Sequence, residues 1–366
     1  MIWPAIPAAA AAAYYLLAVI ACARWKPRAV VASTAPPPPV SILKPVHGRD
    51  PRFWEAIVAH AEQDYPEFEI LFGANGPNDP ALEDVARLQK AYPRLRIESI
   101  VVDTRAPNAK VGVLMELASR ARHPVLLVND SDILVEPGYL RAVTAPLADP
   151  AIGMVTCLYR AAASSTASQM EALGIATEFA PSVLVARLLG VANFALGSTM
   201  VFRAEDLRRI GGFAAIANFI ADDYQLGLHI ARLGLRVKLA SHVVETDLGA
   251  EDWGSMWRHQ LRWLRTIRVS RSAGYFGYVV THATLWSAVA LLGGHWAIAL
   301  GTMVLRIVAG IWTGAHILRD PNVLRRCWWI PFRDLFGFAV WVGGAFGHTV
   351  QWRDKRLKLR SDGRIV

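Results

Sequence analysis

Two aspartates separated by a single residue follow a short apolar run near the middle of the chain. The run Val125–Val128 leads through Asn129 into Asp130 and Asp132. Two carboxylates at this spacing on a turn can reach one hard divalent cation, and Mg²⁺ or Mn²⁺ prefers a few carboxylates combined with phosphate oxygens. Such a cation would neutralise a diphosphate leaving group. Aspartate and serine after a strand also form ordinary turns and caps, so a structural role stays open.

A second acidic pair, Asp222 and Asp223, stands where a helix is predicted to begin. One of the two carboxylates could act as a general base, since a hydroxyl that attacks a carbon centre must lose its proton. Acidic residues also cap the starts of helices. The pair by itself is therefore compatible with catalysis or with capping.

Arginines and tryptophans alternate in the stretch 257–268, where the arginines recur at helical spacing. Arginine recognises phosphate in a bidentate manner, and tryptophan prefers the membrane–water boundary. The stretch predicts a helix that binds phosphate, lies on lipid headgroups, or does both. Lys44 and Lys110, which follow the first and third predicted strands, could also contact phosphate, although lysines are more often simply solvated.

The elements that must position these groups alternate between short apolar runs and amphipathic helices. Strands are predicted at 40–43, 69–73, 96–102 and 125–128, and helices near 52–62, 80–91 and 108–120. This alternation predicts parallel strands with helices on both faces. Ligands bind at the carboxyl ends of such strands, which is where Asp103, Asp130 and Asp132 fall. No G-x-G-x-x-G motif or P-loop follows the first strand, which argues against a dinucleotide dehydrogenase and a P-loop ATPase.

The two ends of the chain are apolar. Residues 4–22 carry no charge and are about as long as one bilayer crossing. Arg24, Lys26 and Arg28 follow at once, so the charge rule places the residues after this span in the cytosol. The runs 276–292 and 296–318 predict a membrane hairpin, and 335–350 predicts a re-entrant or interfacial segment. Arg306, midway along the second run, should face protein, water or a headgroup because lipid tails would penalise it.

Composition limits the remaining possibilities. The chain has 366 residues, of which 54% are hydrophobic and 19% charged, and a net charge of +9. This low charged fraction argues against a fully soluble globular protein, because soluble proteins average about 25% charged residues. The basic residues lie beside apolar runs and no base-reading motif occurs, so nucleic-acid binding is not expected. Cys22, Cys157 and Cys327 are predicted to be reduced thiols.

Five motifs occur together in one order. They are VSILKPV at 40–46, Asp79-Pro80-Ala81, Asp130-Ser131-Asp132-Ile133, Ala221-Asp222-Asp223-Tyr224 and His259-x-x-Arg262-Trp263. This set strongly resembles the ceramide glucosyltransferase-like group, which is glycosyltransferase family 21 within the family-2 type GT-A enzymes and includes bacterial hopanoid-associated glycosyltransferases. The resemblance covers nearly the whole chain, and the ordered set is far more specific than any one motif.

The resemblance implies a GT-A fold, a Rossmann-like mixed α/β sheet with helices on both faces, plus transmembrane and interfacial helices at both ends. It implies inverting transfer of a glucose- or N-acetylglucosamine-type sugar from a UDP-sugar donor to the hydroxyl of a ceramide- or hopanoid-like membrane lipid, with Mg²⁺ or Mn²⁺. Such an enzyme would be a multi-pass protein of the bacterial inner membrane with its catalytic domain in the cytosol. The segments expected are an anchor at 1–24, a Pro-rich linker at 25–39, a catalytic domain at 40–250, an interface helix at 251–274, a membrane region at 275–350 and a basic tail at 351–366.

Carried over residue by residue, the resemblance makes Asp223 the catalytic base beside a secondary acid, Asp222. It makes Asp132 the metal ligand. The donor-side candidates are Lys44, Asp79, Asp103, Lys110 and Asp130, of which Asp79 matches the first acidic position of the family. The candidates near the diphosphate and the acceptor are His259, Arg262 and Trp263.

Two positions depart from the family pattern. His259 replaces the Gln or Arg that opens the arginine–tryptophan signature, which alters its hydrogen bonding or charge. Asn75 stands where related enzymes often carry an acid, which leaves the contact to uridine open.

Three other functions make different demands on the sequence. A processive polysaccharide synthase of the same superfamily needs more membrane spans than the about three predicted here. A non-catalytic membrane module that binds sugar nucleotides would bind donor without releasing UDP. A small transporter would need more spans and a smaller α/β middle.

Overall fold

A seven-stranded mixed sheet forms the centre of the computed structural model, which describes residues 2–26, 36–352 and 355–366. The strand order is β3-β2-β1-β4-β6-β5-β7. The strands are β1 (Val40–Val46), β2 (Phe68–Asn75), β3 (Arg96–Val102), β4 (Val125–Val128), β5 (Ile152–Ala162), β6 (Met200–Arg203) and β7 (Arg236–Asp247). Strands β1 to β4 are parallel, whereas β6 runs antiparallel to both of its neighbours. The α/β class with a mixed sheet is confirmed, and the four predicted strands are present.

Helices cover both faces of the sheet and bury two apolar cores against it. Those of this part of the chain are α2 (Phe53–Ala61), α3 (Ala81–Ala91), α4 (Ala109–Arg120), α5 (Tyr139–Thr144), α6 (Thr166–Gly174), α7 (Ala180–Leu188), α8 (Ala204–Arg209) and α9 (Asp222–Arg232), after an N-terminal α1 (Ala5–Ala23). A single π-type turn, Ile175–Phe179, joins α6 to α7.

The register of the central strands determines which loops meet at the functional edge. Leu43 of β1 and Met200 of β6 both pair with Val128, the last residue of β4. All four residues of β4 are buried, as expected for a strand covered on both faces. The loop after β4, the end of β1 and the loop before β6 therefore lie together at one edge of the sheet.

The C-terminal part of the chain is helical and ends in a hairpin of two strands. Its elements are α10 (Trp253–Ser270), α11 (Ser272–Gly277), α12 (Ala283–Leu292), α13 (Trp296–Ile311, continued by a π-type segment to Ile317), α14 (Asn322–Arg326), α15 (Ile330–Gly344), β8 (Thr349–Trp352) and β9 (Lys355–Lys358). Backbone hydrogen bonds join Ile220 to Gly363 at 3.2 Å and Asn218 to Ile365 at 2.8 Å. The basic C-terminal segment thus packs against the loop that precedes Asp222.

Two described helices are long and apolar enough to cross a membrane: Ala5–Ala23, with a mean hydropathy of 2.0, and Trp296–Ile317, with 1.6. The run 276–292, expected to be one span, lies in two helical segments, Ser272–Thr281 and Ala283–Leu292, that are bent by 53°. Together they are long and apolar enough to form one broken span or a re-entrant loop. The run 335–350 was expected to be one re-entrant or interfacial segment, but α15 ends at Gly344 and the residues from Thr349 form a strand. Glycines at 343, 344 and 347 account for the early end of that helix, because glycine disfavours helix continuation.

Arg306 faces protein, which is one of the three surroundings predicted for it. Its Nη2 lies 2.7 Å from Oδ1 of Asp334, and both side chains are buried. The three cysteines are free thiols, also as predicted. The predictions for Arg28, Arg353 and most of the Pro-rich linker concern residues 27–35 and 353–354, which lie outside the described part of the chain.

Candidate functional site

The acidic residues of the two predicted pairs meet at the edge of the sheet. Nζ of Lys110 lies 2.8 Å from Oδ1 of Asp130 and 3.2 Å from Oδ2 of Asp222. Asp223 accepts a hydrogen bond from the backbone N–H of Gly197 at 3.0 Å. A side chain at Gly197 would contact both Asp130 and Asp223. Residues 110, 130, 197, 222 and 223 therefore surround one space, although they come from four separate elements.

Burial changes the proton affinity of the two acids in the predicted catalytic and metal roles. Burial, and then the charge of Asp222, raises the pKa of Asp223 to about 6. Burial, and then the charge of Asp130, raises the pKa of Asp132 to about 6, although Thr246 donates a hydrogen bond to its carboxylate. A carboxylate with a pKa near 6 is ionised at neutral pH and still accepts a proton readily.

Lys110 carries the compensating charge of the site. Burial would lower its pKa, but the charges of Asp130 and Asp222 outweigh that effect and raise it. Lys110 is thus a permanent cation. The four aspartates carry excess negative charge, and their carboxylate oxygens suit a hard divalent cation. A bound cation would reduce the repulsion between Asp130 and Asp132.

Lys44 lies beneath the acidic loop. It is fully buried, and its Nζ donates hydrogen bonds to Oδ1 of Asn129 at 3.0 Å and to the carbonyl of Asp130 at 3.2 Å. Burial leaves no surface for a ligand, so Lys44 positions the loop instead of making the predicted phosphate contact. His60 completes this network, since the amide of Asn129 lies 2.7 Å from its Nε2.

The other two donor-side candidates lie in the neighbouring loops. The carboxylate of Asp79 accepts hydrogen bonds from the backbone N–H groups of Gly48 and Ala81, each at 3.0 Å, so it ties the loop after β1 to the start of α3. Asp103 is exposed after β3, at the outer edge of the sheet. Three strand spacings separate β3 from β4, about 14 Å, so Asp103 does not join the acidic cluster.

The three signature residues of α10 face different surroundings. Nδ1 of His259 lies 2.7 Å from Oε1 of the buried Glu171. The ring of Trp263 lies 4.9 Å from that of His259 and 6.0 Å from that of Phe179, between ring centroids. Arg262 lines a cavity of about 410 Å³ between α10 and β8, together with Arg258, Arg265 and Arg356.

A row of aromatic rings connects α10 to the acidic cluster. Phe179 lies 5.5 Å from Tyr159 of β5, measured between ring centroids. Burial raises the pKa of Tyr159 well above its usual value, and the charges of Glu171, Asp223, Asp130 and Asp132 add to the effect. The charges of the acidic cluster and of Glu171 therefore both act on Tyr159. Tyr159 and Glu171 were not among the predicted site residues. Glu171 could have been found from the sequence, because it is the one charged residue in the stretch from Ala161 to Thr177.

Comparison with known proteins assigns a family to this arrangement. Residues 4–365 match the model of "Glycosyl transferase family 21". Ceramide glucosyltransferase 1 of Caenorhabditis elegans is 23% identical over 349 residues, which cover 89% of this chain and 72% of that protein. Ceramide glucosyltransferase 3 of the same organism is 26% identical over 62% of this chain and 50% of its own length.

Among solved structures, the fold is similar to that of the mannosyltransferase PcManGT from Pyrobaculum calidifontis, determined in complex with GDP-Man and Mn²⁺. The two chains share a TM-score of 0.57 and 18% identity, over 94% of this chain and 99% of the other. At this identity the likeness establishes the fold, which is GT-A-like.

Proposed function

Because this chain belongs to glycosyltransferase family 21, and is therefore a glycosyltransferase, we propose that it transfers a sugar from a UDP-sugar to the hydroxyl of a membrane lipid with inversion at the anomeric carbon. The sugar is of the glucose or N-acetylglucosamine type, and the acceptor is ceramide- or hopanoid-like. The convergence of the aspartates at 130, 222 and 223 on one edge of the sheet carries the proposal, with Asp132 close enough to Asp130 for their charges to interact. Transfer needs a base and a diphosphate-binding group side by side.

Asp223 is the proposed base. Backbone N–H groups of Gly197 and Tyr224 hold its two carboxylate oxygens, at 3.0 and 2.7 Å. These bonds fix the carboxylate in one orientation, which general-base catalysis requires. The acceptor hydroxyl attacks the anomeric carbon from the face opposite the diphosphate. Asp223 takes the hydroxyl proton, the new glycosidic bond forms, and the bond to the diphosphate breaks.

Asp132, with Asp130 beside it, would hold Mg²⁺ or Mn²⁺, and the bound cation supplies positive charge for the departing diphosphate. Lys110 orients Asp130 through an ion pair of 2.8 Å. Arg262 is the proposed partner of the diphosphate on the α10 side, because a guanidinium can pair with phosphate oxygens in a bidentate manner. Trp263 lies on the acceptor side, where the aromatic row leads toward Tyr159.

The proposed acceptor enters from the bilayer. Ala5–Ala23 and Trp296–Ile317 are the described candidate spans. The helix α10 packs against α15 and exposes Trp253 and Trp257, which suits a membrane–water boundary. The basic residues that follow α1 support a catalytic domain on the cytosolic side of the membrane, which in this proposal is a bacterial inner membrane.

The test supplies purified full-length protein with a panel of UDP-sugars and total bacterial lipid, and identifies a new glycolipid by mass. Asp223→Asn is expected to bind UDP normally and to lose turnover by about 10²- to 10⁴-fold. Near-normal turnover of this variant would remove Asp223 from the role of base. A polymeric product would favour the polysaccharide synthase, and donor binding without UDP release in any lipid would favour the non-catalytic module.

A further inference from the structure

Three side chains, of which only His259 is among the site residues that the resemblance implies, meet on the α10 side of the catalytic domain. Glu171 belongs to α6, Glu251 to the loop after β7, and His259 to α10. One ligand atom from each residue lies within 4.8 Å of the others. The three elements are thus joined at a single point by groups that bind metal ions.

The polar atoms at this point lack the partners that burial normally requires. Glu171 is fully buried, and one of its carboxylate oxygens, Oε2, has no hydrogen-bond partner among the described residues. The same holds for Oε2 of Glu251. Nδ1 of His259 lies 2.7 Å from Oε1 of Glu171 but does not have hydrogen-bond geometry. Buried polar atoms without partners are costly, so the unpartnered oxygens of Glu171 and Glu251 favour a cation at this cluster.

The surroundings orient the cluster, and the charges of His259 and Arg333 act on Glu171. The amide of Gln260 donates to Oε1 of Glu171 at 3.0 Å, which leaves Oε2 available. Arg333, the nearby arginine, is already paired with Glu178 at 3.0 Å. The loop that carries Glu251 is anchored, because Ser165 donates a hydrogen bond to the Glu251 carbonyl at 2.5 Å. Held ligands with outer hydrogen bonds are typical of metal sites.

We propose that Glu171, Glu251 and His259 bind one divalent transition-metal ion, with Zn²⁺ as the best match, at a site separate from the donor-side cation. An imidazole combined with carboxylates suits Zn²⁺ and related ions, whereas Mg²⁺ prefers an all-oxygen shell. Metal–ligand distances of about 2.0–2.2 Å place the ligand atoms of one ion about 3–4 Å apart. Only a small contraction of the observed cluster is therefore required.

The site is distinct from the donor-side aspartates. Their partners differ: Asp132 accepts a hydrogen bond from Thr246 and Asp130 pairs with Lys110. Glu171 instead contacts His259 and Gln260. An ion at Glu171 would tie α6, the loop after β7 and α10 together. The ion would therefore stabilise the docking of α10. Metal content and thermal stability of the protein should report it, whether or not the enzyme turns over.

The experiment uses tag-free full-length protein in detergent, stripped with a chelator and equilibrated with ZnCl₂, with bound zinc counted by mass spectrometry. We expect one equivalent per chain in the wild type and in Asp132→Ala, and at least about tenfold weaker binding in Glu171→Gln. Glu83→Gln, which changes an exposed glutamate, is the matched control and should bind as the wild type.

X-ray absorption at the zinc edge of Asp132→Ala identifies the ligands of the bound zinc, and it tests the proposal even if Glu171→Gln fails to fold. A shell that contains an imidazole nitrogen supports the site, and an all-oxygen shell overturns it. Absence of bound zinc in the wild type would show that Glu171 and His259 form only an ion pair, and loss of all zinc in Asp132→Ala would assign the ion to the donor side.

Discussion

Replacing Gly197 by alanine would place a methyl group against the carboxylates of Asp130 and Asp223. The added carbon would lie 3.0 Å from Oδ2 of Asp130 and 3.6 Å from Oδ2 of Asp223. The first distance is shorter than an ordinary contact, so the carboxylate of Asp130 must move by several tenths of an ångström. Lys110, which holds this carboxylate at 2.8 Å, must move with it.

The size of the effect follows from how steeply transfer depends on geometry. A displacement of about 1 Å at reacting groups costs about 10²-fold in rate. For Gly197→Ala we therefore expect a loss of about tenfold or more in kcat/KM. The fold should tolerate the change, because Gly197 is not among the glycines with positive φ.

The assay measures UDP release with total bacterial lipid as acceptor, together with the thermal unfolding temperature. Gly138→Ala is the matched control, since a side chain there meets nothing within 4 Å. The control should keep the activity of the wild type. Activity of Gly197→Ala within twofold of the control, at equal stability, would show that the space in front of Gly197 is not where transfer occurs.

Three further outcomes are expected. Because the base must be deprotonated and the pKa of Asp223 is about 6, kcat/KM should be constant above that pH and fall by at least about tenfold per pH unit below it, since Asp132 has a similar pKa; a profile flat down to pH 4 would contradict the assignment. Asp132→Ala should weaken metal-dependent UDP binding in calorimetry, and an unchanged metal titration would refute its role as ligand. Arg306→Met leaves Asp334 buried without its partner and should cost about 3–5 kcal/mol, whereas Arg49→Met, at an exposed pair, should cost less than about 1 kcal/mol. Thermal unfolding in detergent compares these two variants, and equal stabilities would contradict the buried pair.

The parts of the fold that could be predicted from the sequence are those with a local signal. The strands 96–102 and 125–128 have the predicted bounds because each is an apolar run between polar loops. The direction of β6 has no such signal, since strand periodicity is the same in parallel and antiparallel pairs. The break at His282 could not be predicted either, because hydropathy reports how apolar a run is and not whether its helix is continuous.

The site residues that could be predicted from the sequence are likewise those with a local signal. The acids at 130, 132, 222 and 223 were identified because each pair lies at the end or the start of a predicted element. Lys44 was assigned to phosphate from its position after a strand, whereas the strand continues to Val46 and buries it. Glu171 and His259 are 88 positions apart, and only the docking of α10 on α6 brings them together.

The most direct test of the central claim is an anomalous diffraction map of the full-length protein crystallised with UDP and Mn²⁺. Manganese is expected beside Asp132, with the diphosphate bound between the acidic loop and Arg262, and with Asp223 facing the open side of that space. Nucleotide and manganese bound together at any other part of the molecule would contradict the account.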